Sequence, residues 1–105
     1  MKVDHYRSPD KSYHCIHYKT YEGVVCSKHY KSKDSALKSK RAVIKAVTWD
    51  QRIFFDYKDN VTTLKIKSPN GIVVLQYAFK NKDQAEAFLN ELRSWVSAYY
   101  NTPKN

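Results

Sequence analysis

The sequence has little glycine, few acidic residues and no long apolar run. Its 105 residues include two glycines, Gly23 and Gly71, which lie too far apart to form a glycine-rich phosphate-binding loop. The longest apolar run, residues 72–75, is far shorter than the roughly 20 residues of a membrane-spanning helix. Residues 1–6 contain no apolar stretch typical of a signal peptide. We therefore expect no transmembrane segment. The expected location is the cytoplasm or the nucleus of a cell, and that cell can be an infected host cell.

Cysteine is also scarce, because two residues, Cys15 and Cys26, are too few for a disulfide scaffold. They lie near His17 and His29, which gives four potential zinc ligands. Cys15 and His17 would share one face of a strand, whereas Cys26 and His29 would lie on opposite faces of a regular strand. A bulge or a strand end would be needed to bring all four together. We therefore predict no metal ion, no other cofactor and two packed thiols.

The C-terminal half of the sequence shows clear alternation of apolar and polar residues. Residues 52–58, 61–67 and 72–80 each alternate with a period of two, which is typical of half-buried strands. The short connections between them contain asparagine and glycine, which tolerate the backbone conformations of tight hairpin turns. These patterns predict a three-stranded antiparallel meander.

An amphipathic helix is predicted to follow the meander. Apolar residues recur there at spacings of three and four, which places them on one helical face: Ala85, Phe88, Leu89, Leu92, Trp95, Val96 and Tyr99. Asn81 or Asp83 is the predicted N-cap. The apolar face is expected to pack on the meander, with Trp95 in the core.

The N-terminal half is less regular. Residues 12–21 and 24–30 predict the two strands of a hairpin. Residues 31–41 predict a loop or a short helix, and residues 42–49 predict either a strand or the continuation of that helix. Residues 1–11 and 101–105 are expected to be loose ends. Together these patterns predict a single α+β domain, in which an antiparallel, curled or barrel-like sheet of five to seven strands is closed by a C-terminal amphipathic helix.

The meander and its helix resemble a pleckstrin-homology-like barrel. The stretch 52–100, in which strands lead into an amphipathic helix with an inward Trp95, carries this resemblance and covers about half of the chain. The resemblance implies a closed barrel and, as an alternative function, an adaptor that docks a protein partner or an acidic surface. Lipid-binding members carry spaced basic residues in the first hairpin. The first turn here, residues 19–23, contains one lysine and one glutamate, so the resemblance does not extend to phosphoinositide binding.

A basic segment carries the main prediction of function. Seven cations and one acid, Asp34, give residues 28–45 a charge of +6, out of +9 for the whole chain. Lysines bind phosphates as point charges, and interleaved aromatic rings can stack on unpaired bases. We predict a small, basic, non-enzymatic module that binds RNA or single-stranded DNA. The predicted nucleic-acid-binding residues are Lys28, His29, Tyr30, Lys31, Lys33, Lys38, Lys40, Arg41 and Lys45.

Two other functions are compatible with the sequence. The same positive charge would attract an acidic protein partner. A small metal-independent ribonuclease would need a general base, a general acid and a cation, for which His14, His17, His29 and Lys28 are candidates. Such catalysis depends on the convergence of these side chains in space, so no catalytic residue is predicted.

Overall fold

The computed structural model describes residues 1–101, which form two separate three-stranded antiparallel sheets and two α-helices. Sheet one consists of β1 (Lys2–Arg7), β2 (His14–Thr20) and β3 (Gly23–Cys26), in that order. Sheet one is followed by α1 (Lys33–Ala46) and a short 3-10 helix (Asp50–Arg52). Sheet two then consists of β4 (Ile53–Lys58), β5 (Val61–Lys67) and β6 (Val73–Phe79). The last element is α2 (Lys82–Asn101). The order β-β-β-α therefore occurs twice, although the sequence shows no repeat.

The meander and the helix predicted for the C-terminal half are confirmed. Asp59 and Asn60 have φ angles of 53° and 62°, the left-handed values of a two-residue turn between paired strands. The side-chain oxygen of Asn81 accepts a hydrogen bond of 2.9 Å from the backbone N–H of Gln84 and so caps α2. Local turn and cap chemistry thus sets the ends of these elements.

The barrel implied by the pleckstrin-homology-like resemblance is wrong. Neither sheet closes on itself, and no hydrogen-bonded ladder within residues 1–101 joins one sheet to the other. The α+β class, the antiparallel pairing of six strands and the C-terminal helix are confirmed. The physical reason for the difference is α1, because the chain leaves sheet one for a helix of 14 residues before sheet two begins.

The sequence led us to expect a loose N-terminus, but most of this segment is ordered. Lys2–Arg7 forms β1, which pairs with β2 along its whole length. The strand is half-buried and contains few apolar residues, so the apolar pattern did not mark it. At the other predicted loose end, residue 101 is the last residue of α2, and residues 102–105 lie outside the described part of the chain.

The segment with an ambiguous pattern forms α1. The hydroxyl of Ser32 accepts a hydrogen bond of 3.1 Å from the backbone N–H of Ser35, which caps the helix. Its buried face includes the small residues Ala36 and Ser39. The hydroxyl of Ser39 donates a hydrogen bond of 2.9 Å to the carbonyl of Val74. Small and polar residues on the buried face explain why the apolar periodicity was weak.

Both sheets and both helices contribute to one hydrophobic core. Helix α1 contacts β1 and β2 as well as β5 and β6, so it joins the two sheets. Tyr18 of β2 meets Phe88 of α2 edge to face, with 6.1 Å between ring centroids. The fully buried members of the core include Ile16, Tyr18, Val43, Val47, Leu64, Ile66, Leu75 and Leu92. Neither helix formed by residues 1–101 combines the length and the apolar character needed to cross a membrane.

Leu92 and Trp95 lie on the same helix but differ in burial, since Leu92 is fully buried and Trp95 is only half-buried. We expect Leu92→Ala to lower the free energy of unfolding by about 2–5 kcal/mol, because it leaves a cavity in the core. Trp95→Ala should cost less, in contrast to the core position that the sequence suggested. Chemical denaturation measures both.

Tyr99→Ala is the control for these two variants, because Tyr99 is an exposed aromatic residue of the same helix. It should change the free energy of unfolding by less than about 1 kcal/mol. A Trp95→Ala loss as large as that of Leu92→Ala would contradict the observed packing.

Candidate functional site

The side of sheet one that points away from the core carries cysteine and histidine side chains. Ile16, Tyr18 and Val25 point into the core, so the residues that alternate with them point the other way. We call this side of sheet one the outer face. Strand pairing places Asp4 opposite His17, Tyr6 opposite Cys15, and His17 opposite Cys26 on it.

Cys15, His17 and Cys26 converge on the outer face. Their potential ligand atoms, two Sγ atoms and a ring nitrogen, all lie within 4.8 Å of one another. Cys15 is 1% exposed although it is not part of the hydrophobic core cluster, and the other two side chains are half-buried. Both cysteines are free thiols. The structure thus brings together three of the four potential ligands that the sequence contains.

A shift in strand pairing occurs next to this cluster. The backbone N–H of Ser27 donates a hydrogen bond of 2.9 Å to the carbonyl of Ile16, whereas His14 and Tyr30 exchange two backbone hydrogen bonds of 2.7 Å. Two residues therefore lie opposite Cys15 in place of one. This arrangement is a β-bulge, which changes the side to which the following residues point.

The bulge turns His29 onto the outer face, on the same side as Cys26. A regular strand would have placed these two residues on opposite sides, and the bulge, which was expected from the sequence as one way to bring them together, puts them on the same side. The ring of His29 stacks on Tyr13, with 3.8 Å between centroids and an interplanar angle of 8°. Tyr6 stacks in the same way on His17, at 4.2 Å, and the two tyrosine rings are neighbours. Four rings therefore line the outer face, and His29 lies outside the three-residue cluster.

Burial and neighbouring groups change the protonation of the cluster. Burial raises the pKa of the Cys15 thiol to about 11, and the nearby Cys26 thiol adds to this effect. Burial and then Lys19 lower the pKa of His17, while the Asp4 carboxylate acts in the opposite direction. At neutral pH, Cys15 is therefore a neutral thiol and His17 a neutral imidazole.

The histidines considered for a ribonuclease are not brought together. His14 points to the inner side of sheet one, where its Nδ1 atom lies 2.9 Å from Nε2 of His5 and the two rings stack. His17 and His29 lie on the outer face, so the sheet separates them from His14. These side chains therefore do not form one acid–base site.

The structure divides the predicted nucleic-acid-binding residues into separate groups. Lys38, Arg41 and Lys45 are exposed on α1 at spacings of three and four residues, so they share one helical face. We call these three residues the α1 stripe. Lys33 and Lys40 are seven residues apart and share a different side of the helix, where Lys40 is half-buried. Seven cations close in sequence therefore do not form one patch.

The connection between β3 and α1 contributes the other predicted residues. Lys28 and Lys31 are exposed there, and His29 is exposed and stacked on Tyr13. Tyr30 is half-buried against the core, so its ring is not free to stack on a base. None of the ion pairs formed among residues 1–101 includes a cation of the segment 28–45.

Similarity to known proteins is found in the fold. No protein family and no curated protein matches the sequence. The fold is similar to the solution structure of the UPF0339 protein SO3888 from Shewanella oneidensis, with a TM-score of 0.71 and 11% identity, covering 88% of this chain and 80% of that one. It is also similar to the solution structure of yegP from E. coli, described as a protein of unknown function. That match has a TM-score of 0.73 and 17% identity, and it covers 90% of this chain and 84% of yegP. At these identities the similarity establishes the fold alone.

The two thiols should differ in reactivity. We expect iodoacetamide, in the presence of a chelator and near neutral pH, to modify Cys26 well before Cys15. The reason is that Cys15 is almost fully buried and its raised pKa leaves very little thiolate. Mass spectrometry of tryptic peptides separates the two sites, because Lys19 lies between them. Denaturant should remove the difference, and equal rates in the folded chain would contradict the burial of Cys15.

Proposed function

We propose that the chain is a small, basic, non-enzymatic module that binds RNA or single-stranded DNA through the α1 stripe, together with Lys28 and Lys31, which precede α1 in the sequence. The observation that carries this proposal is the α1 stripe, whose cations are exposed and form no ion pair within residues 1–101. With a net charge of +9, the whole chain also attracts polyanions over a distance.

The dimensions of the α1 stripe are compatible with phosphate binding. Lys38 and Lys45 are two helical turns apart, which corresponds to about 10 Å along the axis. A segment of backbone with several phosphates can extend over that length, and each phosphate that a cation neutralises releases bound counterions. Asp34 lies one turn before Lys38 on the same side, so the stripe is most basic toward the C-terminal end of α1.

A single strand is favoured over a duplex by the connection between β3 and α1. His29 is exposed, and its ring already lies flat on Tyr13 at 3.8 Å. An unpaired base can extend such a stack, whereas a base inside a duplex presents no free face. Lys28 directly precedes His29 in the sequence and Lys31 follows it by two residues, and both are exposed cations for the flanking phosphates. The low content of arginine argues against sequence-specific readout of base edges.

Replacement of two stripe lysines tests the proposal. We expect Lys38→Gln with Lys45→Gln to weaken binding of labelled single-stranded RNA and DNA. Each lost phosphate contact should reduce the slope of log K against log salt by about 0.7, which amounts to about 1.4 for the pair. Fluorescence anisotropy at several salt concentrations measures both quantities.

The matched control is Lys58→Gln with Lys80→Gln. These two lysines are also exposed and free of ion pairs within residues 1–101, and they lie in sheet two and directly after it. The control changes the net charge by the same amount, so it should leave most of the salt dependence intact. An equal loss of affinity and of salt dependence in both double variants would show that only overall charge matters and would overturn the proposed site.

The same titrations separate the alternatives. A ribonuclease would shorten the RNA during incubation, whereas a binding module leaves it intact. Tighter binding to a duplex than to single strands would contradict the stacking argument for His29. An acidic protein partner would be favoured if no nucleic acid bound at moderate salt.

A further inference from the structure

We propose that Cys15, His17 and Cys26 form a zinc site on the outer face of sheet one. This site is independent of the proposed nucleic-acid binding, because the cations of the α1 stripe take no part in it. The inference rests on the convergence of the three side chains, on the strand pairing that holds them and on the position of Cys15 on the outer face, apart from the main hydrophobic cluster.

The separation of the ligand atoms is close to what zinc requires. Zinc binds thiolate sulfur at about 2.3 Å and imidazole nitrogen at about 2.0–2.1 Å in a tetrahedral arrangement, which places neighbouring ligand atoms about 3.5–3.8 Å apart. The two Sγ atoms and the His17 ring nitrogen lie within 4.8 Å of one another. Small rotations of the side chains would therefore complete the geometry, with the backbone in its present position.

The strands hold the ligands in place before any ion binds. Cys15 and His17 are two residues apart on β2 and share its outer side, and His17 is directly paired with Cys26 of β3. Two neighbouring strands of one sheet thus supply all three ligands. Such a site needs little ordering on binding, in contrast to one built from loops.

A disulfide fits this geometry less well than a metal ion. His17 is the direct cross-strand partner of Cys26, so Cys15 is a diagonal neighbour of Cys26. The Cα atoms of diagonal neighbours lie about 7–8 Å apart. Disulfides require Cα separations of about 4.4–6.8 Å. A metal ion can connect the two sulfur atoms across the longer distance.

The surroundings of Cys15 also differ from those of an ordinary packed cysteine. The side chain is 1% exposed, but it lies on the outer face and does not belong to the core cluster. Its direct cross-strand neighbour is Tyr6, whose ring stacks on His17 and fixes the plane of the imidazole. Asp4 is paired with His17 on the same side, where its carboxylate can accept a hydrogen bond from the ring nitrogen that does not bind the metal.

The donor set determines the choice of ion. Two thiolates and an imidazole favour zinc or copper(I) over magnesium or calcium, which prefer oxygen. We infer zinc, because two thiolates balance its double charge. Binding would release one proton from each thiol and connect β3 to β2, and the fourth coordination position would be left to solvent.

The test uses the whole chain, stripped of metal by a chelator under reducing conditions. We expect one zinc ion to bind per chain in competition with a chromophoric chelator, and cobalt(II) to give a thiolate-to-metal charge-transfer band. His17→Gln and Cys26→Ser should each weaken zinc binding by at least about 100-fold, since loss of a ligand costs more than loss of a supporting residue. Zinc should raise the melting temperature of the wild-type chain and not that of Cys26→Ser.

His5→Gln is the matched control, because His5 is a histidine of the same sheet that points to the inner side. It should bind zinc like the wild type. Circular dichroism establishes that each variant is folded before its affinity is interpreted. The inference is overturned if the wild-type chain binds no zinc, if it binds copper(I) but not zinc, if cobalt shows no thiolate band, or if His5→Gln loses as much affinity as His17→Gln.

Discussion

The packing of α1 against both sheets is the constraint on which the rest of this structure depends. Val43 of this helix and Val47, its C-cap residue, are fully buried in the same core as residues of sheet one and sheet two. Because no ladder joins the sheets within residues 1–101, the helix provides much of the contact between the two β-β-β-α halves. The same packing decides which surfaces stay free: one face of α1, and the side of sheet one that is turned away from the core.

Much of the fold could be predicted from local patterns. The alternation in residues 52–80 and the stripe from Ala85 to Tyr99 marked three strands and a helix, because each has one apolar and one polar face. Helix α1 was ambiguous because Ala36 and Ser39 on its buried face are small or polar. Strand β1 was missed because a half-buried strand with few apolar residues carries no such pattern. The resemblance to a barrel failed since the pattern of the C-terminal half says nothing about how it is joined to the rest.

The candidate sites were harder to predict, because they depend on register and on the direction of side chains. The lysine-rich segment was evident from charge alone, but its division into the α1 stripe and a second side required the helix. The cluster of Cys15, His17 and Cys26 required the pairing of β2 with β3. The spacing of two residues between Cys15 and His17 was enough to predict that these two side chains share one face of a strand. No rule based on one strand could give the position of Cys26 relative to them.

The β-bulge opposite Cys15 shows that the number of residues in a segment can matter as much as their identity. Between Ser27 and Tyr30 the chain contains one residue more than a regular ladder would hold. Deletion of Lys28 would leave every outer-face side chain of β2 unchanged and yet restore the regular ladder, which places the imidazole of His29 directly opposite Cys15. Comparisons among homologous chains that score substitutions and disregard gaps would overlook such a change, so loop length should be aligned as carefully as residue type.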